Sequence, residues 1–160
     1  MAITVIDGTA FTWNGDVLIS THVAPASFQR WKAHSAELRQ LAARNVHGVV
    51  YLTLIFPTSD PPDTTLRAMM QADFRSLGDR LRKLIAVPIG GGIWLALVRT
   101  IVRSTLLLSG QSRLQVVESS IERGLDRVLE AASPDTPPRL VLQADIEQVF
   151  RALGVVDQPQ

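Results

Sequence analysis

The sequence predicts an α/β fold, a mixed sheet of about five strands with four to five helices in the order ββαβαβαβα plus a C-terminal helix. Three observations carry this. Val46 to Phe56 is a dense β-branched and apolar run, the pattern of a strand covered on both faces. Segments of three- and four-residue apolar periodicity alternate with such runs, which implies a mostly parallel sheet. Asn14-Gly15 marks a hairpin turn ahead of them, adding an antiparallel element.

The elements follow in order. Ala2 to Ile6, Thr9 to Trp13 and Asp16 to His22 read as strands, with Phe11, Trp13, Val17 and Ile19 alternating with polar neighbours. Ser27 is placed to cap a helix whose apolar face is Phe28, Trp31, Ser35, Leu38 and Ala42 and which ends near Asn45. After the central run, Pro57 to Thr65 is a loop by composition. Asp63 or Thr64 then caps a helix carrying Leu66, Met70, Phe74, Leu77, Leu81 and Leu84 on one side. Leu84 to Ile89 is a short strand, and Gly90-Gly91-Gly92 opens an apolar helix from Ile93 to Ser109, closed by Gly110. Leu114 to Val117 is another strand. Ser119 and Glu122 have the spacing of a capping box for a helix with Ile121, Leu125, Val128 and Leu129 inward. SPDTPP reads as a loop or linker, and Asp145 to Leu153 as a last helix. Residues 1–132 form the α/β domain on this reading. Residues 133–160 are a C-terminal extension with one short helix in the same globular unit.

Composition narrows the function classes. At 160 residues the chain can bury a full core without staples, and 46% apolar with 19% charged residues is globular rather than disordered. There is no cysteine, which removes disulfides, thiolate metal sites and cysteine nucleophiles and fits a cytoplasmic protein. Sixteen basic and 15 acidic residues leave a formal charge of +1 with no block of one sign, so nucleic acid is not the expected partner. The first residues carry an acid and no basic stretch, so no secretory signal is expected.

The helix at Ile93–Ser109 is unusually apolar. A membrane span needs ~20 apolar residues, and this segment is 17 residues long in all, with Arg99 and Arg103 in its middle. Each arginine costs about 2.5–3.5 kcal/mol at a bilayer centre while each aliphatic side chain returns about 0.3–0.6, so spanning is not expected. Arg99 and Arg103, four apart, share one face. The rest packs on the sheet, or part of it meets a protein partner, a second copy or a lipid surface. Trp94, Leu97, Val98 and Ile101 are the candidate interface residues.

No motif carries catalysis. PIGGGIW lacks both the Walker spacing and GxGxxG, so a tight strand-to-helix turn is the expectation. His22, His34 and His47 have no metal-ligand spacing, and no cofactor or metal is expected. An enzyme would have to reveal itself as a closed pocket with converging titratable groups. The polar loop after the central strand lies where α/β sheets place ligand or regulatory sites. Ser59, Asp60, Asp63, Thr64 and Thr65 are its candidate regulatory or partner-contact residues. Ser59, Thr64 and Thr65 are possible phosphate acceptors near a helix N-terminus, while Asp63 or Thr64 is equally suited to capping.

With this order laid out, Thr4 to Ala132 resembles the STAS domains of anti-sigma factor antagonists, the SpoIIAA-like fold. The resemblance rests on the element order, on Val46–Phe56 followed by a loop and helix, and on the ending RLQVVESSIERGLDRVLEAA. It implies a non-enzymatic interaction module of bacterial-type signalling. Where that family's loop reads like DSSG with a phosphorylated serine, this chain has Thr58-Ser59-Asp60-Pro61-Pro62-Asp63-Thr64-Thr65. The missing glycine and serine pair imply a degenerate member that binds a partner without a phosphoswitch. The alternative reading is a small lipid- or ligand-binding domain that uses the 93–109 helix.

Overall fold

The computed structural model describes residues 2–57, 61–107 and 114–155. Six strands form one sheet in sequential order: β1 (Thr4–Ile6), β2 (Thr9–Asn14), β3 (Val17–His22), β4 (Val49–Ile55), β5 (Leu81–Pro88) and β6 (Gln115–Val117). β1, β2 and β3 pair antiparallel, and β3 through β6 pair parallel. The mixed α/β architecture is therefore the one the alternating pattern implies, with six strands rather than about five.

The helices are α1 (Phe28–Arg44), α2 (Thr64–Leu77), α3 (Ile93–Leu107), α4 (Ile121–Glu130) and α5 (Arg139–Ala152). Parallel strands laid down in one direction across a sheet, joined by right-handed crossovers, place their helices on one face. One cluster accordingly joins Trp31, Leu38, Leu66 and Phe74 to Phe11, Leu18, Tyr51 and Leu84. On the other face Leu125, Val128, Leu142 and Ile146 of α4 and α5 cover Val17, Ile19, Leu52 and Ile85. β4, the central run, is buried on both sides. Arg99 and Arg103 both lie on the exposed side of α3. No helix among the described residues is long and apolar enough to cross a membrane.

Several boundaries differ from expectation for identifiable reasons. α2 stops at Leu77, where Gly78 (φ 52°) ends it, so Leu81 and Leu84 belong to β5. Their three-residue spacing imitates a helix because the β4–β5 register shifts between Val49 and Val50: Val49 pairs with Leu81 and Val50 with Lys83. The extra residue, Arg82, turns both leucines to the same face. The cap of α4 is Ser120, whose hydroxyl accepts from Arg123 N at 3.3 Å, in place of a Ser119–Glu122 box. α5 begins at Arg139, behind Pro138, six residues before Asp145; the prolines disguise a helix start as a linker. Phe28 is exposed rather than inward. Gly110 lies outside the described residues.

The SPDTPP segment is docked, not free. Asp16 is fully buried and gathers Thr136 Oγ1 at 2.9 Å, Ser133 Oγ at 2.5 Å and the Arg82 guanidinium, which also donates to the Ala131 carbonyl. Gly15 (φ 55°) starts the β2–β3 turn, and a Cβ there would fall 1.9 Å from the Asp135 carbonyl oxygen. Glycine is thus required at position 15 for both the turn and the docking.

Candidate ligand-binding site

The C-terminal ends of the parallel strands carry a cavity of about 140 Å³ between the sheet and the α1–α2–α3 layer. This is the end of an α/β sheet where ligands characteristically bind. Its floor is His22 from β3, Tyr51, Thr53 and Ile55 from β4, and Leu84 and Ala86 from β5. α1 contributes Arg30, Trp31 and His34; α2 contributes Leu66, Met70 and Phe74; α3 contributes Trp94, Val98, Ile101 and Val102. Pro61 and Pro62 complete the wall.

The polar floor follows from strand register. Side chains two apart on a strand share a face, so Ser20 and His22 point the same way, as do Tyr51 and Thr53. Ser20 pairs with Thr53 and Leu18 with Tyr51 in the β3–β4 register, and Thr9 pairs with His22 in β2–β3. Ser20 Oγ therefore meets Thr53 Oγ1 at 3.1 Å, Tyr51 OH at 3.0 Å and His22 Nε2 at 3.0 Å, and His22 Nδ1 meets Thr9 Oγ1 at 3.2 Å. A serine has one hydroxyl hydrogen, and Ser20 gives it to Thr53. Tyr51 and His22 must then both donate to Ser20. This makes His22 the Nε2–H tautomer, with Nδ1 accepting from Thr9. Every polar atom of His22 is thereby committed.

His34 is not. Its ring lies 4.8 Å from that of Tyr51, 5.4 Å from Phe11 and Trp31, and 6.0 Å from His22, centroid to centroid. It is 1% exposed, and neither ring nitrogen has a hydrogen-bond partner. An unpartnered buried polar atom costs about 1–3 kcal/mol. A neutral imidazole offering one donor and one acceptor thus lines the cavity beside Trp31.

Burial dominates the titration of these groups. It holds His34 down at about 3, with His22 adding to the effect, and His22 at about 4, with the Arg30 charge adding. It pushes the Tyr51 phenol up to about 12, against its bonds to Ser20 and Thr53. All three are neutral at pH 7. The consequence for stability has a definite sign. As pH falls below 6.5 the unfolded chain protonates at position 34 while the native state does not, so stability is lost on acidification, down to the folded value near 3. Between pH 7 and pH 5 this amounts to about 2 kcal/mol from His34. Urea unfolding at the two pH values checks it; His34→Gln should lack this part of the pH slope.

The two regions singled out in the sequence converge here, with changes. Trp94, Val98 and Ile101 form the cavity wall, so Val98, 3% exposed, faces inward rather than toward a partner; Leu97, 41% exposed, points outward. Trp94 Nε1 reaches the Ile55 carbonyl at 3.5 Å. Asp63 caps α2, accepting from Leu66 N at 2.8 Å. Thr64 Oγ1 accepts from Arg67 at 3.4 Å, and Thr65 is exposed. Ser59 and Asp60 lie outside the described residues. The glycine run makes the turn into α3, with Gly90 at φ 120° and Gly92 at φ 66°.

Sequence reasoning passed over His22, His34, Ser20, Tyr51 and Thr53. A signal existed: His34 falls three residues after Trp31 and four before Leu38, inside the buried stripe of α1. The fold and its cavity define an α/β domain with a small-molecule-sized chamber between sheet and helices. No protein-family model matches the chain, and no curated protein matches it.

Proposed function

We propose that this is a binding domain for a small, largely apolar molecule held between α1, α2, α3 and the sheet. The observation that carries the reading is His34: a buried imidazole with both nitrogens unpartnered, on the wall of a cavity lined mainly by aromatic and aliphatic side chains with a few polar groups, Arg30 and Thr53 among them. Ligand sites are typically apolar with a few placed polar groups of this kind. Titration supports binding over proton transfer. A general base works best near the operating pH, and His34 and Tyr51 sit several units to either side of it.

Toluene is the simplest probe. A cavity of about 150 Å³ lined by aliphatic and aromatic side chains accommodates benzene. Trp31 and Trp94 line the chamber, so saturable quenching or enhancement of their fluorescence, with a raised melting temperature, is expected. No fluorescence change and no stabilisation at saturating toluene would contradict the reading.

A second reading keeps the interaction module of STAS type. It is favoured by Ile93 and Leu97, 90% and 41% exposed on the outer side of α3. On this reading a second copy of the chain covers them. Sedimentation should then show a dimer that Leu97→Glu dissociates, whereas a monomeric parent protein would rule self-association out.

A further inference from the structure

The ligand's polar end can be read from what the chamber leaves unsatisfied; this rests on the binding reading above. His22 is committed to Ser20 and Thr9, and Tyr51 to Ser20. The free capacity among the described lining residues is concentrated in His34, through both nitrogens, and in Arg30, whose Nε is buried without a partner. These two residues are four apart on α1, so they stand on one face, one turn from each other.

Arg30 is unusual in its charge environment. The carboxylates of Asp73, Asp16, Glu118, Asp126 and Glu147 each meet an arginine, but among the described residues none meets Arg30. Among the described residues its guanidinium makes one hydrogen bond, from Nη1 to the Pro25 carbonyl. It also sits in the first turn of a 17-residue helix that has no acidic residue there. A helix N-terminus favours negative charge, so a guanidinium with no anion among the described residues is placed against the dipole. Arg30 lines the chamber, and its charge adds to the burial that lowers the His22 pKa.

We infer that the chamber takes a small organic carboxylate with a benzene-sized apolar body, its carboxylate bound by Arg30 and the His34 N–H and its body among Trp94, Val98, Met70 and Phe74. A carboxylate supplies acceptors to both free donors and neutralises Arg30, the one cation among the described lining residues. A cationic ligand would meet Arg30 unfavourably. The volume of about 140 Å³ limits the body to a single ring or an equivalent aliphatic group.

Benzoate and benzyl alcohol have the same ring and differ in charge, so they separate this inference from the reading beneath it. Calorimetric titration at pH 7.5 should show benzoate binding about tenfold or more tightly, as charge-assisted hydrogen bonds require. Arg30→Met should abolish that advantage, bringing the two probes to similar affinity. Should the variant fail to fold, the parent protein decides: the benzoate advantage must shrink between 0.05 and 0.5 M salt (about a threefold shorter screening length). Equal binding of the two probes, or an advantage indifferent to Arg30 and to salt, overturns the carboxylate assignment alone. Binding of neither overturns the ligand-site reading itself.

Discussion

Asp16→Ala is expected to destabilise the domain by about 3–5 kcal/mol, the range for removing one partner of a buried ion pair. Asp16 is fully buried while its partner Arg82 is 19% exposed at the side chain. The same carboxylate accepts from Ser133 and Thr136, in the loop that leads to α5. Its loss would strand a mostly buried guanidinium and two hydroxyls together. It would also loosen the strap that holds α5 against Val17 and Ile19. Urea denaturation followed by circular dichroism measures the effect. Thr136→Val removes one hydroxyl and leaves the ion pair, and should cost about 1 kcal/mol. If Asp16→Ala cost no more than Thr136→Val, the account of the strap would be wrong.

Two adjacent substitutions on α3 should diverge sharply. Val98 is 3% exposed and Leu97 is 41% exposed, although both belong to the same apolar stretch. A carboxylate at 98 replaces a close-packed apolar part of the chamber wall, and taking a charge out of water there costs several kcal/mol. A loss of about 3 kcal/mol would lower the melting temperature by roughly 6–12 °C for a domain of this size. A carboxylate at 97 faces solvent, where substitutions usually stay within about 0.5 kcal/mol. Differential scanning calorimetry of Val98→Glu and Leu97→Glu side by side decides. Equal melting temperatures would mean that α3 does not close the chamber in solution.

Much of the fold was legible because its signals are local. Ser27 and Asp63 cap α1 and α2 through their own side chains, and the dense run of β4 declares its burial without reference to distant residues. The alternation in β2 and β3 misleads: both strands are buried on both faces over most of their length, Phe11 and Val17 join opposite clusters, and Trp13 is 39% exposed. The errors arose where a local pattern has a non-local cause. Leu77, Leu81 and Leu84 look helical, yet the last two are brought to one face by a register shift opposite Val49 and Val50. Ser133 to Pro138 looks like a linker because the carboxylate that fixes it lies more than a hundred residues earlier.

The candidate site was half legible for the same reason. The loop after β4 and the apolar α3 were visible as unusual segments, but their convergence on one chamber depends on the order of the strands. Ser20, His22, Tyr51 and Thr53 are unremarkable until the β3–β4 register places Ser20 beside Thr53. His34 looked ordinary because a buried stripe of α1 announces packing, and nothing in the chain says that its imidazole lacks a partner. Arg30 is a first-turn residue with the wrong charge for its place, a departure visible in the sequence that the proposed carboxylate ligand would account for.

The central claim is that the space beneath α3 is a ligand site and not a packing gap. Crystals of the protein exposed to iodobenzene test it most directly. The account predicts an anomalous iodine peak inside the chamber, beside Trp94 and Met70, with the ring against His34 and Tyr51. Iodine found only on the outer surface, with the chamber empty or filled by collapsed side chains, would contradict it.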